Sequence, residues 1–110
     1  MVEGDSGNLV IGIQVYANTI EGCGGIADDG DFGPDTLKAV KCMQTRLGVT
    51  ADGSVGPITW GTMQSDLSKT TTSGGWVYYG ANPGTKEFRE STSTDVWDCF
   101  DPFNGTWVAM

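Results

Sequence analysis

The sequence predicts an α+β fold: an N-terminal three-helix bundle with an internal loop–helix repeat, followed by a small antiparallel β-sheet packed on it. Three observations predict it. The phrases "ADDGDFGPDT" (27–36) and "TADGSVGPIT" (50–59) carry the same punctuation. Apolar residues follow a helical period to about residue 68 and a strand-like period beyond it. Asp-Gly and Asn-Gly dipeptides supply turn chemistry between these runs.

The first helix is expected in "SGNLVIGIQVYANTI", where Ser6 is a candidate N-cap. Val10, Ile13, Ala17 and Ile20 fall at helical spacing, and Gly22, Gly24 and Gly25 stop the run. The repeat then begins. Gly30 and Gly53, Gly33 and Gly56, Pro34 and Pro57, and Thr36 and Thr59 are each 23 positions apart. Phe32 and Val55, Leu37 and Trp60, and Val40 and Met63 keep the same offset. Asp29-Gly30 and Asp52-Gly53 make turns, with glycine tolerating positive φ. Phe32 and Val55 act as apolar plugs, and Pro34 and Pro57 suit a first helical turn that has no use for their missing N–H. Leu37, Val40, Met43 and Leu47 form the stripe of the second helix, which Gly48 ends; Trp60, Met63 and Leu67 form that of the third. Each repeated phrase therefore plugs the core and launches a helix.

"SKTTTSGG" reads as a hinge or linker. The expected organisation is thus 1–68 for the helical domain and 69–110 for an aromatic-rich β extension. "WVYY", "KEFRE", "VWDCF" and "TWVAM" are β-type runs, and Asn104-Gly105 is a favoured two-residue hairpin turn. Eight of the eleven aromatic residues lie here: Trp76, Tyr78, Tyr79, Phe88, Trp97, Phe100, Phe103 and Trp107. Alternation places Trp76 and Tyr78 on one face and Val77 and Tyr79 on the other.

The whole chain is 110 residues with 38% hydrophobic residues, enough for one modest core. Its net charge of −8 is spread along the chain, which argues against binding a phosphate backbone or an anionic membrane. Its longest apolar run is far shorter than a membrane span. Three cysteines in a small, acidic, glycine-rich chain point to a secreted protein carrying a disulfide. Two pairings stay open. Cys23 with Cys42 is favoured and ties the loop after the first helix to the second helix; Cys42 with Cys99 is its rival. No signal-like run opens the sequence, so a mature secreted form is expected.

The segments "GNLVIGIQ" and "DGDFGPDTLKAVKCMQTRLGVTADGSVGPITWGTMQ" resemble the type 1 peptidoglycan-binding domain family. The resemblance rests on Gly7, Val10, Ile13 and Gln14, then Asp29, Gly30, Phe32, Gly33, Thr36, Ala39, Val40, Met43 and Gln44, then Asp52, Gly53, Val55, Gly56, Thr59 and Trp60. Ile13 replaces the family's usual leucine and Met43 its usual phenylalanine, and the loop "EGCGGIADDG" is long; apolar character is kept. The resemblance implies a compact three-helix domain that attaches proteins to bacterial cell wall. The tail resembles, more loosely, the aromatic β extension that follows this domain in some secreted actinobacterial proteins.

Catalysis is not expected. Histidine is absent, which removes the usual general base and zinc ligand, and no acidic pair is singled out by its context. Asp29, Asp31 and Asp35 suggest calcium, but Pro34 stands where the EF-hand needs glycine and Val40 where it needs glutamate, so no metal or cofactor is expected. The candidate ligand-binding residues are Asp31, Gln44, Arg46 and Ser54 near the repeated loops, read as exposed, with Arg46 suited to a stem-peptide carboxylate. Trp76 and Tyr78 on the sheet are suited to stacking on sugar. Trp60 is read as core. The expected partner of the secreted, monomeric chain is cell-wall peptidoglycan, in the extracellular space or on the wall. The alternative is a protein-interaction or inhibitor module that uses the aromatic sheet face.

Overall fold

A computed structural model describes residues 1–20, 22–80, 87–93, 97–101 and 105–109. Three helices, α1 (Asn8–Thr19), α2 (Pro34–Leu47) and α3 (Pro57–Asp66), precede five strands, β1 (Ser68–Ser73), β2 (Trp76–Gly80), β3 (Phe88–Ser91), β4 (Trp97–Asp101) and β5 (Thr106–Ala109). The strands form an antiparallel meander in the order β1-β2-β3-β4-β5. The expected α+β architecture is therefore present. Phe103 and Asn104 fall outside the described residues, so the ring and the turn expected there are not placed.

α2 and α3 start as the repeat dictates. Gly33 and Gly56 are the N-caps, each followed by proline, and their carbonyls accept the N–H groups of Leu37 and Trp60 at 2.9 Å. Gly48 ends α2 at φ 76°, where the left-handed conformation costs glycine least. At α1 the expected cap is corrected: Gly7 is the N-cap, and Ser6 instead bridges to Asp31. The reason is that residues 4–7 are already extended against the first repeated loop. The Gly4 N–H donates to the Phe32 carbonyl at 2.8 Å and the Gly7 N–H to the Gly30 carbonyl at 2.9 Å. At the chain start, Met1 exchanges two bonds with Val55: Val55 N–H to Met1 carbonyl at 2.8 Å, and the Met1 ammonium to Val55 carbonyl at 3.0 Å.

Helix α1 is central. It contacts α2 on one side and β4 and β5 on the other, so Val15 and Tyr16 are buried along with Val10, Ile13 and Ala17. One continuous core joins Phe32, Val40, Met43, Val55 and Met63 to Phe88 and Cys99 of the sheet. Phe32 and Val55 are 2% and 5% exposed, so both plugs are seated as expected. Burying a side chain of this kind stabilises the fold by about 1.5–3 kcal/mol. Trp60 is half-buried against the same core. The Tyr16 ring lies 6.5 Å from that of Phe88, and its hydroxyl donates to Asp66 at 2.7 Å, linking α1 to the sheet and to the end of α3. Burial, then the bond to Asp66, pushes the Tyr16 phenol well above its ordinary value.

The segment "SKTTTSGG" is not a linker. Ser68–Ser73 is an edge strand, and Gly74 and Gly75, at φ 59° and 83°, form the two-residue turn into β2. Its threonines favour strand geometry, and an edge strand with one solvated side tolerates polar residues. The irregular register between Lys69 and Thr71 marks the same edge. Cys23 and Cys42 form a disulfide with a Cα–Cα distance of 5.5 Å, which excludes the rival pairing; Cys99 is fully buried in β4. Among the described residues, no helix is long and apolar enough to cross a membrane.

Candidate functional site

The repeated loops are built around two buried glutamines. Gln14 of α1 and Gln44 of α2 are both 0% exposed. Gln14 Oε1 accepts the Gly30 N–H at 2.9 Å, and its Nε2 lies 3.0 Å from Asp29 Oδ1, the Asp31 carbonyl and Thr36 Oγ1. Gln44 does the same one repeat later. Its Oε1 accepts the Gly53 N–H at 3.0 Å, and its Nε2 lies 3.2 Å from Asp52 Oδ1, 2.8 Å from the Ser54 carbonyl and 3.2 Å from Thr59 Oγ1. An amide side chain offers an acceptor and two donors, so it closes a loop that presents both kinds of backbone group.

The aspartates complete each turn. Asp29 Oδ1 accepts the Asp31 N–H at 3.0 Å, and Asp52 Oδ1 accepts the Ser54 N–H at 2.9 Å. Those backbone bonds first, and the glutamine amides second, hold both carboxyls below the ordinary carboxylate range. Both carboxylates are therefore charged at neutral pH. Gly30 and Gly53 sit at φ 78° and 79°, the left-handed region these turns require.

Each loop and the helix it launches enclose a shallow cleft. The first, about 130 Å³, carries Asp29, Asp31, Asp35 and Thr36; the second, about 280 Å³, carries Asp52, Ser54, Ile58 and Thr59. The eight residues lining one cleft, moved 23 positions along the chain, are the eight lining the other. Across the Gly56-Pro57 ridge, the second cleft adjoins an apolar groove of about 420 Å³ walled by Met1, Leu9, Val55 and Trp60.

Residues 7–63 match a family described as putative peptidoglycan binding domain. The chain belongs to this peptidoglycan-binding family. An uncharacterized protein in the bpoA1 3' region of Kitasatospora aureofaciens is 41% identical over 68 residues, covering 62% of this chain and 58% of that protein. The zinc D-Ala-D-Ala carboxypeptidase of Streptomyces albus G is 42% identical over 59 residues, covering 53% of this chain and 23% of that enzyme. The chain thus spans less than two thirds of either relative. No solved structure matches.

Within the peptidoglycan-binding fold, the six candidate ligand residues do not converge. Asp31 lines the first cleft and Ser54 the second. Gln44, expected at the surface, is corrected to the interior: its amide is spent on the second loop. Arg46 is exposed in the last turn of α2 and its guanidinium lies toward Gly22 and the disulfide loop, lining neither cleft. Trp76 and Tyr78 lie on the opposite face of the sheet from Tyr79, whose side packs on the core. On that outer face Arg89 forms a 2.8 Å ion pair with Asp98 and stands 4.1 Å and 4.5 Å from the ring centroids of Trp76 and Trp107. Tyr78 and Phe100 meet the Trp107 ring edge-on at 5.6 Å and 5.4 Å.

The sequence reading missed the structural role of both glutamines and the part played by residues 1–7. A signal existed for Gln14: a lone polar residue amid Val10, Ile13 and Ala17 on a buried arc. Among the described residues, no group of three or more His, Cys, Asp or Glu is placed to hold a metal ion.

Proposed function

We propose that this chain is a non-catalytic module that holds a secreted protein to bacterial cell-wall peptidoglycan, through the surface formed by the repeated loops and the helix starts that follow them. The observation that carries this reading is the pair of rigid, glutamine-clamped loops lying within the span matched by the family. Clamped loops present fixed hydroxyls, carbonyls and carboxylates, so little ordering entropy is lost when a ligand docks. The disulfide suits an oxidising, extracellular setting. The non-catalytic part of the reading is supported by a sequence without histidine. The carboxypeptidase activity in one relative's name belongs to that protein, of which this chain covers 23%.

The test is co-sedimentation with purified, insoluble peptidoglycan, with labelled wall to follow turnover. Pelleting without release of soluble label supports the reading. Protein that stays in the supernatant, or label that is released, rejects it. A second reading uses the outer sheet face for a protein partner and is favoured by its four half-buried aromatic rings. Pelleting that is lost in Trp76→Ala/Tyr78→Ala and kept when the clefts are altered would move the contact to that face.

A further inference from the structure

The two clefts share a frame and differ in chemistry. The backbone turn, Gly-Pro helix start, clamping glutamine and buried threonine occur in both. Two exposed or half-exposed lining positions differ: Asp31 in the first becomes Ser54 in the second, and Asp35 becomes Ile58. The first cleft therefore has three carboxylates at its rim and the second has one, Asp52. The second is also the larger, about 280 Å³ against about 130 Å³. Ile58 is 77% exposed, and Leu9, across the ridge in the apolar groove, is 47% exposed. Apolar residues held this far into water beside a polar pocket contribute little to folding and are suited to meeting a ligand.

Building on the wall-binding reading, we infer that only the second cleft and its apolar groove engage the wall polymer, and that they take the lactyl-peptide stem of an N-acetylated muramyl unit rather than the bare sugar chain. Such a stem carries carboxylates, amide N–H groups, carbonyls and methyl groups. Its carboxylates are repelled by the triple-acid rim of the first cleft, since like charges a few Å apart disfavour docking by an amount that deletes weak binding. In the second cleft, Asp52 Oδ1 is occupied by Gln44 and the Ser54 N–H, which leaves Oδ2 to accept a stem amide N–H. The hydroxyls of Thr50 and Ser54 can donate to stem carbonyls. Alanyl and lactyl methyl groups fit the groove walled by Leu9, Val55 and Trp60. A bare sugar chain is uncharged and would not distinguish the two rims by charge.

The test exchanges the chemistry of the clefts. Ser54→Asp/Ile58→Asp gives the second cleft the acids of the first; Asp31→Ser/Asp35→Ile does the reverse. All four side chains are surface-facing, and thermal melts check that both variants fold. Binding is read by pelleting with insoluble peptidoglycan. It is also read by amide chemical-shift changes on adding muramyl dipeptide, with N,N′-diacetylchitobiose as the bare-sugar probe. The expected result is at least a tenfold loss of pelleting for Ser54→Asp/Ile58→Asp and no loss for Asp31→Ser/Asp35→Ile. Muramyl dipeptide should shift Ser54, Ile58 and Trp60, and chitobiose should not. Wild-type-like pelleting of the first variant, loss in the second, or equal shifts with chitobiose each overturn the inference. Failure of the unaltered protein to pellet overturns the wall-binding reading itself, a different and prior result.

Discussion

Gln14 and Gln44 do the same work on successive loops: Gln14 holds the Gly30 N–H at 2.9 Å, and Gln44 holds the Gly53 N–H at 3.0 Å. Each amide also reaches the aspartate, the carbonyl and the threonine at equivalent places in its own loop. Replacing either with leucine of similar bulk strands a buried backbone N–H and a carbonyl. The expected loss for Gln14→Leu or Gln44→Leu is about 3 kcal/mol, since each unsatisfied buried group costs roughly 1–3 kcal/mol. Urea unfolding followed by tryptophan fluorescence measures it, and a loss under 1 kcal/mol would mean that water replaces the amide.

Glycine is required at the turns and not at the caps. Gly30 has φ 78°, and a Cβ there would stand 3.2 Å from the Gly7 carbonyl; Gly33 has φ −98° and open space around it. Gly30→Ala should cost about 1–2 kcal/mol, the usual penalty for a side chain in the left-handed region. Gly33→Ala should stay within about 0.5 kcal/mol of the original. The difference between their melting temperatures checks this.

Acid should weaken the fold through the same turns. Asp29 and Asp52 have folded-state pKa values below those of the unfolded chain, because the Asp31 and Ser54 N–H groups, then the glutamine amides, favour the charged form. Such groups stabilise the protein above the unfolded value, and that contribution is lost as pH falls through the folded one. Stability should thus hold from neutral pH down to about 4 and decline below it. Asp29→Asn/Asp52→Asn should decline less steeply; denaturation midpoints between pH 2 and 7 decide.

The three cysteines should separate by mass. Without reductant, the native protein should resist alkylation, because Cys99 is 0% exposed and Cys23 is bonded to Cys42. Denaturant alone should admit one label, and denaturant with reductant three. Cys23→Ser/Cys42→Ser should cost about 2–4 kcal/mol in unfolding free energy.

Arg89 joins two tryptophans and an aspartate on the outer sheet face. Arg89→Ala should destabilise by about 2 kcal/mol, combining a partly desolvated ion pair with two ring contacts. Arg89→Lys should recover less than half, because an ammonium cannot lie flat between rings while pairing with a carboxylate. Thermal melts of the three proteins test the order.

Much of the fold was legible because its demands are local. A left-handed turn needs glycine, a helix start accepts proline, and a plug must be apolar, so Gly30, Pro34 and Phe32 and their partners Gly53, Pro57 and Val55 are readable one residue at a time. Gln44 was misread because a polar residue beside an exposed helix face is usually solvated; only loop closure over it shows where its amide goes. Ser68–Ser73 was misread because an edge strand is allowed the same polar composition as a linker, and its pairing with Trp76–Gly80 is non-local. Of the candidate site, Asp31 and Ser54 were legible from the repeat. The contrast between the two rims depended on knowing that the same eight positions line both hollows.

Tyr16 sets a boundary for anyone who would shorten this chain. Its ring touches Phe88 from the sheet while its hydroxyl is bound to Asp66 at the end of α3. A fragment cut after residue 68 would leave that ring, and Val15 beside it, facing solvent on a newly oily surface. Such a fragment should clump or pair with itself, so grafting this anchor onto another protein calls for the complete 110-residue unit.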